Sequence, residues 1–466
     1  MSESGKVDVV PLDPRRLAPI IGEARLAALL RAASELQEVL GRRRIVNVNS
    51  TARGGGVAEM LGTLVGYSRG LGIEVDWVVI SGDAEFFTIT KRLHNGLYGS
   101  PGDGGELGGA QRAHFDQTTA ENLEELHSTV RSGDVVLVHD PQPAGLVAPL
   151  VELGARVVWR CHIGFDGSNE WTDRAWEFIR PYVEMAHAHV FSRAVFAPSW
   201  IDRGSVHVIP PSIDPFAPKN RDLTAYEVLA VITAAGLVAP DGIAPDDRVR
   251  SPAQVVREGA PANPKTPLVV QVSRWDRIKD MGGVLEGFVR YVDVEDVRLA
   301  LVGPSVSGVS DDPEGQQVWD ETVAAWRALR KDVRARIDLA AVPMEDPIEN
   351  ALVINALQRH ASIVVQKSLA EGFGLTVAEA MWKGRPVVAS AVGGIVDQIV
   401  DAETGILVHD PRDLESFGAA IERLLHDPLE AARLGRNARS HVERHFLGDR
   451  HLLEYGGLIT ELLAGE

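Results

Sequence analysis

The stretch Ile45-Val46-Asn47-Val48-Asn49-Ser50-Thr51-Ala52-Arg53-Gly54-Gly55-Gly56 runs from a short apolar strand pattern into a glycine turn, and Val57 to Leu71 continues it with helical spacing. Strand, glycine turn and helix in that order open a parallel α/β unit. Upstream, residues 11–42 carry Leu and Ala at helical intervals. Downstream, short apolar runs recur at 75–80, 135–139, 157–161 and 206–209, separated by helical or polar stretches. This alternation predicts a parallel sheet covered on both faces.

A polar, glycine-dense segment at 99–109 reads as a mobile surface loop that could act as a lid. From Pro215 to Pro267 the chain is rich in Pro, Asp and Ala, with one helical piece at 223–235, which predicts an interdomain linker with an insertion. The alternation restarts with runs at 268–272, 299–302, 337–342, 363–366 and 387–389, and the last stretch, about 411–466, reads as almost entirely helical. The expected fold is therefore α/β, with an N-terminal Rossmann-like domain at 1–214, the linker at 215–267 and a second Rossmann-like domain at 268–440. A C-terminal helix at 441–466 could recross to the first domain. Ligands of open parallel sheets bind at the carboxyl ends of the strands, so the site is expected in a crevice that the two domains face.

A chain of 466 residues exceeds what one hydrophobic core supports, which agrees with two domains. Its net charge of −18, from 47 basic and 65 acidic residues, argues against a general nucleic-acid surface, so any phosphate site is expected to be local. No segment approaches the roughly 20 apolar residues that span a bilayer, and residues 1–6 lack the pattern of a signal peptide. The single cysteine, Cys161, fits a reducing compartment; the expected location is cytoplasmic. Cys161 ends an apolar run and reads as a small filler rather than a nucleophile.

The segment Glu371-Gly372-Phe373-Gly374-Leu375-Thr376-Val377-Ala378-Glu379 follows a strand and begins a helix, with its two acids separated by seven residues. Gly372 and Gly374 let backbone N–H groups approach a ligand where the helix dipole favours phosphate, so a diphosphate fits the run that also holds Phe373, Leu375 and Thr376. Glu379 could accept the hydroxyl protons of a ribose, leaving sugar hydroxyls to Glu371. An acidic helix start with no ligand is the plain alternative. After the first strand of the second domain comes Ser273-Arg274-Trp275-Asp276-Arg277-Ile278-Lys279-Asp280, where Arg274 and Lys279 could face one diphosphate, or form only a solvated charge run. The turn Gly54-Gly55-Gly56 could admit a phosphate or an acceptor, but it lacks a P-loop lysine and the spaced dinucleotide fingerprint. His162, after Trp159-Arg160-Cys161, and Asp140 and Gln142, in His139-Asp140-Pro141-Gln142-Pro143, lie at equivalent strand ends. Lys91, His94 and Asn95 follow Phe86 and Phe87 on a helix-like polar and aromatic segment of a kind that either binds sugars or packs into a core.

Taken together, Asn49-Ser50-Thr51 with the triple glycine, Val138 to Pro143, Trp159 to His162, Val272-Ser273-Arg274 and Glu371 to Glu379 resemble the trehalose glycosyltransferring synthases, retaining GT-B enzymes of the family 4 glycosyltransferases. The resemblance is collinear from about residue 45 to 450. It implies two Rossmann-like domains facing a central cleft, and transfer of glucose from an ADP-, UDP- or GDP-glucose to free glucose, reversibly, giving α,α-trehalose. It assigns Arg274 and Lys279 to the donor diphosphate, Glu379 to the ribose, Glu371 to the donor glucose and His162 to a place beside the transferred sugar. His94, Asn95, Asp140, Gln142 and Arg160 fall on the acceptor side. No tightly bound cofactor and no metal site is expected, though magnesium carried by a diphosphate could stimulate the reaction. The expected partners are a nucleotide sugar and a small sugar, with no nucleic acid and no membrane, and a homodimer is left open. The alternatives are a trehalose phosphorylase, a family 4 transferase with another acceptor, and a sugar-nucleotide-binding regulator without turnover.

Overall fold

In the computed structural model, which describes residues 5–52, 55–306 and 313–465, the chain divides into two compact units. The first comprises Met1–Ser212, Glu371–Phe373 and Phe446–Glu466; the second comprises Ile213–Ala370 and Gly374–His445.

The first unit is built on six strands: β1 (Ile45–Asn49), β2 (Val75–Val79), β3 (Val135–His139), β4 (Arg156–Cys161), β5 (Ala188–Phe191) and β6 (Val206–Val208). They pair in the order β2-β1-β3-β4-β5-β6, all parallel. Every residue of β1 and β3 is buried, as a sheet covered on both faces requires. Alternate residues of β3 enter different clusters. Val136 and Val138 pack with Phe86, Phe115 and Phe178, whereas Val135 and Leu137 pack with Leu36, Leu61 and Ile459. The last group shows why the helix Gly448–Ala464 belongs to this unit: Leu458, Ile459 and Leu463 are buried beside Ala33, Leu36 and Leu40 of the helix Ala18–Leu40. An ion pair of 2.7 Å between Arg25 and the buried Asp449 joins the same two helices.

The second unit holds β7 (Gln254–Val256), β8 (Leu268–Val272), β9 (Arg298–Pro304), β10 (Ile337–Val342), β11 (Ile363–Gln366), β12 (Val387–Ser390) and β13 (Ile406–Val408). Their order is β13-β12-β11-β8-β9-β10-β7, parallel except for β7, which runs antiparallel to β10 at the edge. The expected linker at 215–267 therefore supplies structure to this unit. It contributes the edge strand β7 and the helix Ala225–Ala234, whose Val228, Val231 and Ile232 are buried. Arg257 of the same stretch pairs with Asp338 of β10 at 2.9 Å.

The ten strands expected from the sequence all form, to within two residues at either end. Three others were not anticipated. In β5 the buried His189 interrupts the apolar run, and its ring is satisfied by the Val183 carbonyl and Ser205. β7 and β13 are three-residue edge strands, too short to show a period. The expected helix at 11–42 starts with the 3-10 turn Pro14–Leu17, and Gly22 interrupts the following helix at φ 79°. The 99–109 loop is anchored: Asn169 donates to the Gly99 carbonyl at 2.8 Å, and Arg92 of the helix Ala84–Leu97 pairs with Asp103 at 2.8 Å. No helix among the described residues is long and apolar enough to cross a membrane.

Because Ile459 is buried in the core of the first unit, Ile459→Ala is expected to cost about 2–5 kcal/mol of stability. Urea unfolding followed by fluorescence reads this directly, and a loss within the scatter of surface substitutions would contradict the assignment of the last helix to that core.

Candidate functional site

In the first unit the carboxyl ends of β1, β3 and β4 carry a chain of polar side chains with one direction. Arg160 is fully buried, and its Nε donates to His162 Nδ1 at 3.4 Å while one terminal nitrogen donates to Ser192 at 3.1 Å. A guanidinium has no acceptor, so His162 Nδ1 must accept and its proton must sit on Nε2. That Nε2 faces His139 Nδ1 at 3.1 Å, and His139 Nε2 faces the Asn47 side-chain oxygen at 3.0 Å. Both imidazoles are therefore neutral, each donating from Nε2. Burial and the Arg160 charge work to the same end, holding His139 down to about 3 and His162 well below the ordinary histidine range.

Asp140 follows β3 with φ 66°, a left-handed conformation that aspartate tolerates better than most residues. Its own N–H donates to the Arg160 carbonyl at 2.7 Å and its carbonyl accepts from the Trp159 indole at 3.1 Å, which fixes the turn. Its carboxylate accepts the His162 backbone N–H at 2.7 Å. Burial pushes this carboxyl up to about 7, against the opposing effects of that hydrogen bond and of Arg160. Asp140 thus sits near the point at which it can either donate or accept.

The tripeptide Glu371-Gly372-Phe373 packs on this group. A Cβ at Gly372 would lie 2.7 Å from the His162 carbonyl oxygen and 2.8 Å from the Tyr98 hydroxyl, so the close approach requires glycine. Tyr98 stands edge-on to His94, with ring centroids 5.0 Å apart, and Phe373 packs on Phe446 at 5.7 Å. Of the expected residues, His162, Asp140, Arg160, Glu371 and Gly372 are brought together here. Gln142 is half-buried in the turn after β3. Asn95 lies under Gly102 of the 99–109 loop and its backbone carbonyl accepts from Ser100. Gly55, at φ 80°, precedes the helix that Gly56 begins; Gly54 lies outside the described residues.

In the second unit the buried Gln366, at the end of β11, ties neighbouring segments together. Its amide nitrogen donates to Ser273 at 3.1 Å and Ser368 at 3.0 Å, and its oxygen accepts from Thr376 at 3.0 Å. Gln271 of β8 donates to the Lys279 carbonyl at 2.8 Å and accepts the Lys367 N–H at 2.9 Å, fixing the loop that bears Lys279. The Lys367 side chain is buried and paired with Asp280, whose other oxygen caps the helix Met281–Tyr291. Arg274 is half-exposed and donates to Asp276 at 3.2 Å. Gly374, at φ 83°, caps the helix Leu375–Trp382, which carries the buried Glu379 3.7 Å from the Lys219 ammonium.

The residues that motif reading passed over are Tyr98, His139, Gln366, Lys367 and Lys219. His139 and Lys367 each occupy the strand-end position at which ligands of parallel sheets bind, a signal present in the sequence. Tyr98 and Lys219 become visible only through their contacts.

The seat of Gly372 predicts opposite outcomes for one chemical change. Gly372→Ala should lose about 1–3 kcal/mol of stability. Gly457→Ala, on an exposed helical position with nothing near its added methyl, should gain about 0.5–1 kcal/mol. Denaturant unfolding of both variants checks this, and equal shifts would contradict the close approach.

Comparison with known proteins places these residues in a family. Residues 47–198 match the model of the trehalose synthase N-terminal domain, and residues 254–441 match that of the glycosyl transferases group 1. A trehalose synthase of Pyrococcus horikoshii is 35% identical over 452 residues, covering 95% of this chain and 95% of its own. More distantly, a trehalose phosphorylase of Pleurotus pulmonarius is 25% identical, over 94% of this chain and 59% of its own length. Among solved structures, an α,α-trehalose-phosphate synthase from Burkholderia vietnamiensis superposes with TM-score 0.65 at 15% identity, over 91% of this chain and 99% of that one, a likeness of fold. With two parallel-sheet α/β units, two matching domain models and a 35% identical relative spanning nearly its whole length, the chain belongs to the trehalose synthase family of GT-B glycosyltransferases.

Proposed function

We propose that the chain transfers glucose from a nucleoside diphosphate glucose to free glucose, reversibly and with retention at the anomeric carbon, giving α,α-trehalose. One observation carries the donor half of this reading. On a chain of net charge −18, Lys279, together with Arg274 and Lys367 in ion pairs to Asp276 and Asp280, and the start of the helix Leu375–Trp382 all follow the adjacent strands β8 and β11 at their carboxyl ends. A unit charge about 4 Å from a phosphate gains roughly 4 kcal/mol at an effective dielectric near 20, so this cluster suits a diphosphate and favours its departure. Glu379 would take the ribose hydroxyls, and Glu371 with the backbone after it the donor glucose.

In the transfer, the bond from the anomeric carbon to the donor's phosphate oxygen breaks. The acceptor hydroxyl oxygen bonds to that carbon on the same face, and its proton passes to the departing phosphate oxygen. His162, whose ring nitrogens are both engaged, then serves by shape and by its backbone carbonyl, while Arg160 holds it from behind. Asp140 and Gln142 then remain as direct acceptor contacts, with His94 packed edge-on against Tyr98 at the Gly372 seat.

The phosphorylase relative supports a second reading, in which inorganic phosphate occupies the diphosphate position and Glu379 has no ribose to bind. Incubating the protein with glucose and, separately, ADP-, UDP- and GDP-glucose, alongside trehalose plus phosphate, separates the two. Trehalose and free nucleoside diphosphate are expected, with Lys279→Ala lowering kcat about 10²- to 10³-fold. Glucose 1-phosphate from the phosphate reaction alone would replace the proposal with phosphorolysis, and unchanged turnover in Lys279→Ala would remove the charge argument.

A further inference from the structure

Behind Glu379 lies a second lysine that the reaction as described does not use. Lys383 follows the helix Leu375–Trp382 one turn after Glu379 and is buried. Its ammonium donates to three acceptors: the Gln358 side chain at 2.8 Å, the Glu379 carbonyl at 3.1 Å and the Asn220 side chain at 3.2 Å. Three acceptors match three protons, the condition under which an ammonium can be buried. Burial nevertheless pushes Lys383 down to about 7, with Glu379 holding it up and Arg359 and Lys219 adding to the depression.

Asn220 is the hub on the other side. Its amide donates to the Asp214 carbonyl at 3.0 Å, and its own carbonyl accepts from the Trp382 indole at 3.2 Å and from Arg359 at 2.9 Å. Asn355 donates to the carbonyls of Pro218 at 3.0 Å and Arg221 at 2.9 Å. The residues on both sides of Lys219 are therefore clamped to the helix Pro347–His360, which carries Asn355 and Arg359, and to Trp382 on the Glu379 helix itself, and the Lys219 ammonium lies within 3.7 Å of the Glu379 carboxylate. Gln358 closes the circuit through a 3.5 Å bond to the Thr376 carbonyl in the first turn of the Glu379 helix.

We infer that Lys383, acting through Asn220, and Lys219 are positioning residues that hold the Glu379 carboxylate for the ribose of the nucleotide donor. This inference rests on the donor reading above and extends it to residues that touch no substrate. Its distinguishing consequence is selectivity. A ligand with a ribose should depend on the clamp, whereas inorganic pyrophosphate, which meets only the cations after β8 and β11, should not.

Calorimetric titration of the full chain with ADP, UDP, GDP and pyrophosphate tests this in the wild type, Lys383→Met and Lys219→Met. The partly exposed Lys219 keeps the test available if the buried substitution prevents folding. Both variants are expected to bind the nucleoside diphosphate preferred by the wild type about tenfold more weakly while pyrophosphate affinity stays constant. They should also distinguish that nucleotide from its 2′-deoxy form less well than the wild type does. Equal weakening of nucleotide and pyrophosphate would mean general damage to the second unit and would overturn the inference, as would unchanged nucleotide affinity in the folded variants. A wild-type chain that binds pyrophosphate but none of the nucleotides would instead overturn the donor reading, and this inference with it.

Discussion

A guanidinium can donate hydrogen bonds but never accept one, and the site in the first unit depends on that asymmetry. Arg160, sealed below His162, imposes a direction on the chain through His162 and His139 to Asn47. Reversing any link would set two donors or two acceptors against each other in a buried environment, at a cost of about 1–3 kcal/mol for each unsatisfied group. The imidazole that the resemblance sets beside the transferred sugar is thereby held neutral, with both nitrogens engaged. Substrate proton transfer must fall to another group, which suits a reaction in which the departing phosphate is itself the base.

The same rigidity explains why the tripeptide Glu371 to Phe373 can be seated so closely. The His162 backbone is held by Asp140, whose own conformation is strained, and the glycine at 372 then meets a fixed carbonyl beside the Tyr98 hydroxyl. In the second unit, glutamines do the corresponding work. Gln271 and Gln366 fix the loops after β8 and β11, leaving Arg274 half-exposed at the surface of the cation cluster.

Much of this was legible in the sequence because strand-end chemistry in parallel sheets is local. The run at 45–49 with its glycine turn, and the segment 371–379, declare both their elements and their positions. What stayed hidden was set by contacts distant in sequence. The stretch 215–267 looked like a linker because its Pro, Asp and Ala content is high, yet Val228, Val231 and Ile232 pack a helix and β7 covers a sheet edge. β5 was obscured by a histidine whose polarity is satisfied only by Val183 and Ser205. The motifs likewise named His162 and Arg160 without revealing which donates to which, since that follows from the hydrogen-bonded chain and not from spacing.

Transfer to free glucose with retention is read by carbon-13 NMR of the reaction between unlabelled nucleoside diphosphate glucose and glucose labelled at its anomeric carbon. The expected product is a disaccharide labelled in one ring only, with both anomeric centres in the α configuration and the label joined to the transferred sugar through oxygen. A β linkage would contradict retention, and labelled glucose left unincorporated while the donor is consumed would contradict glucose as the acceptor.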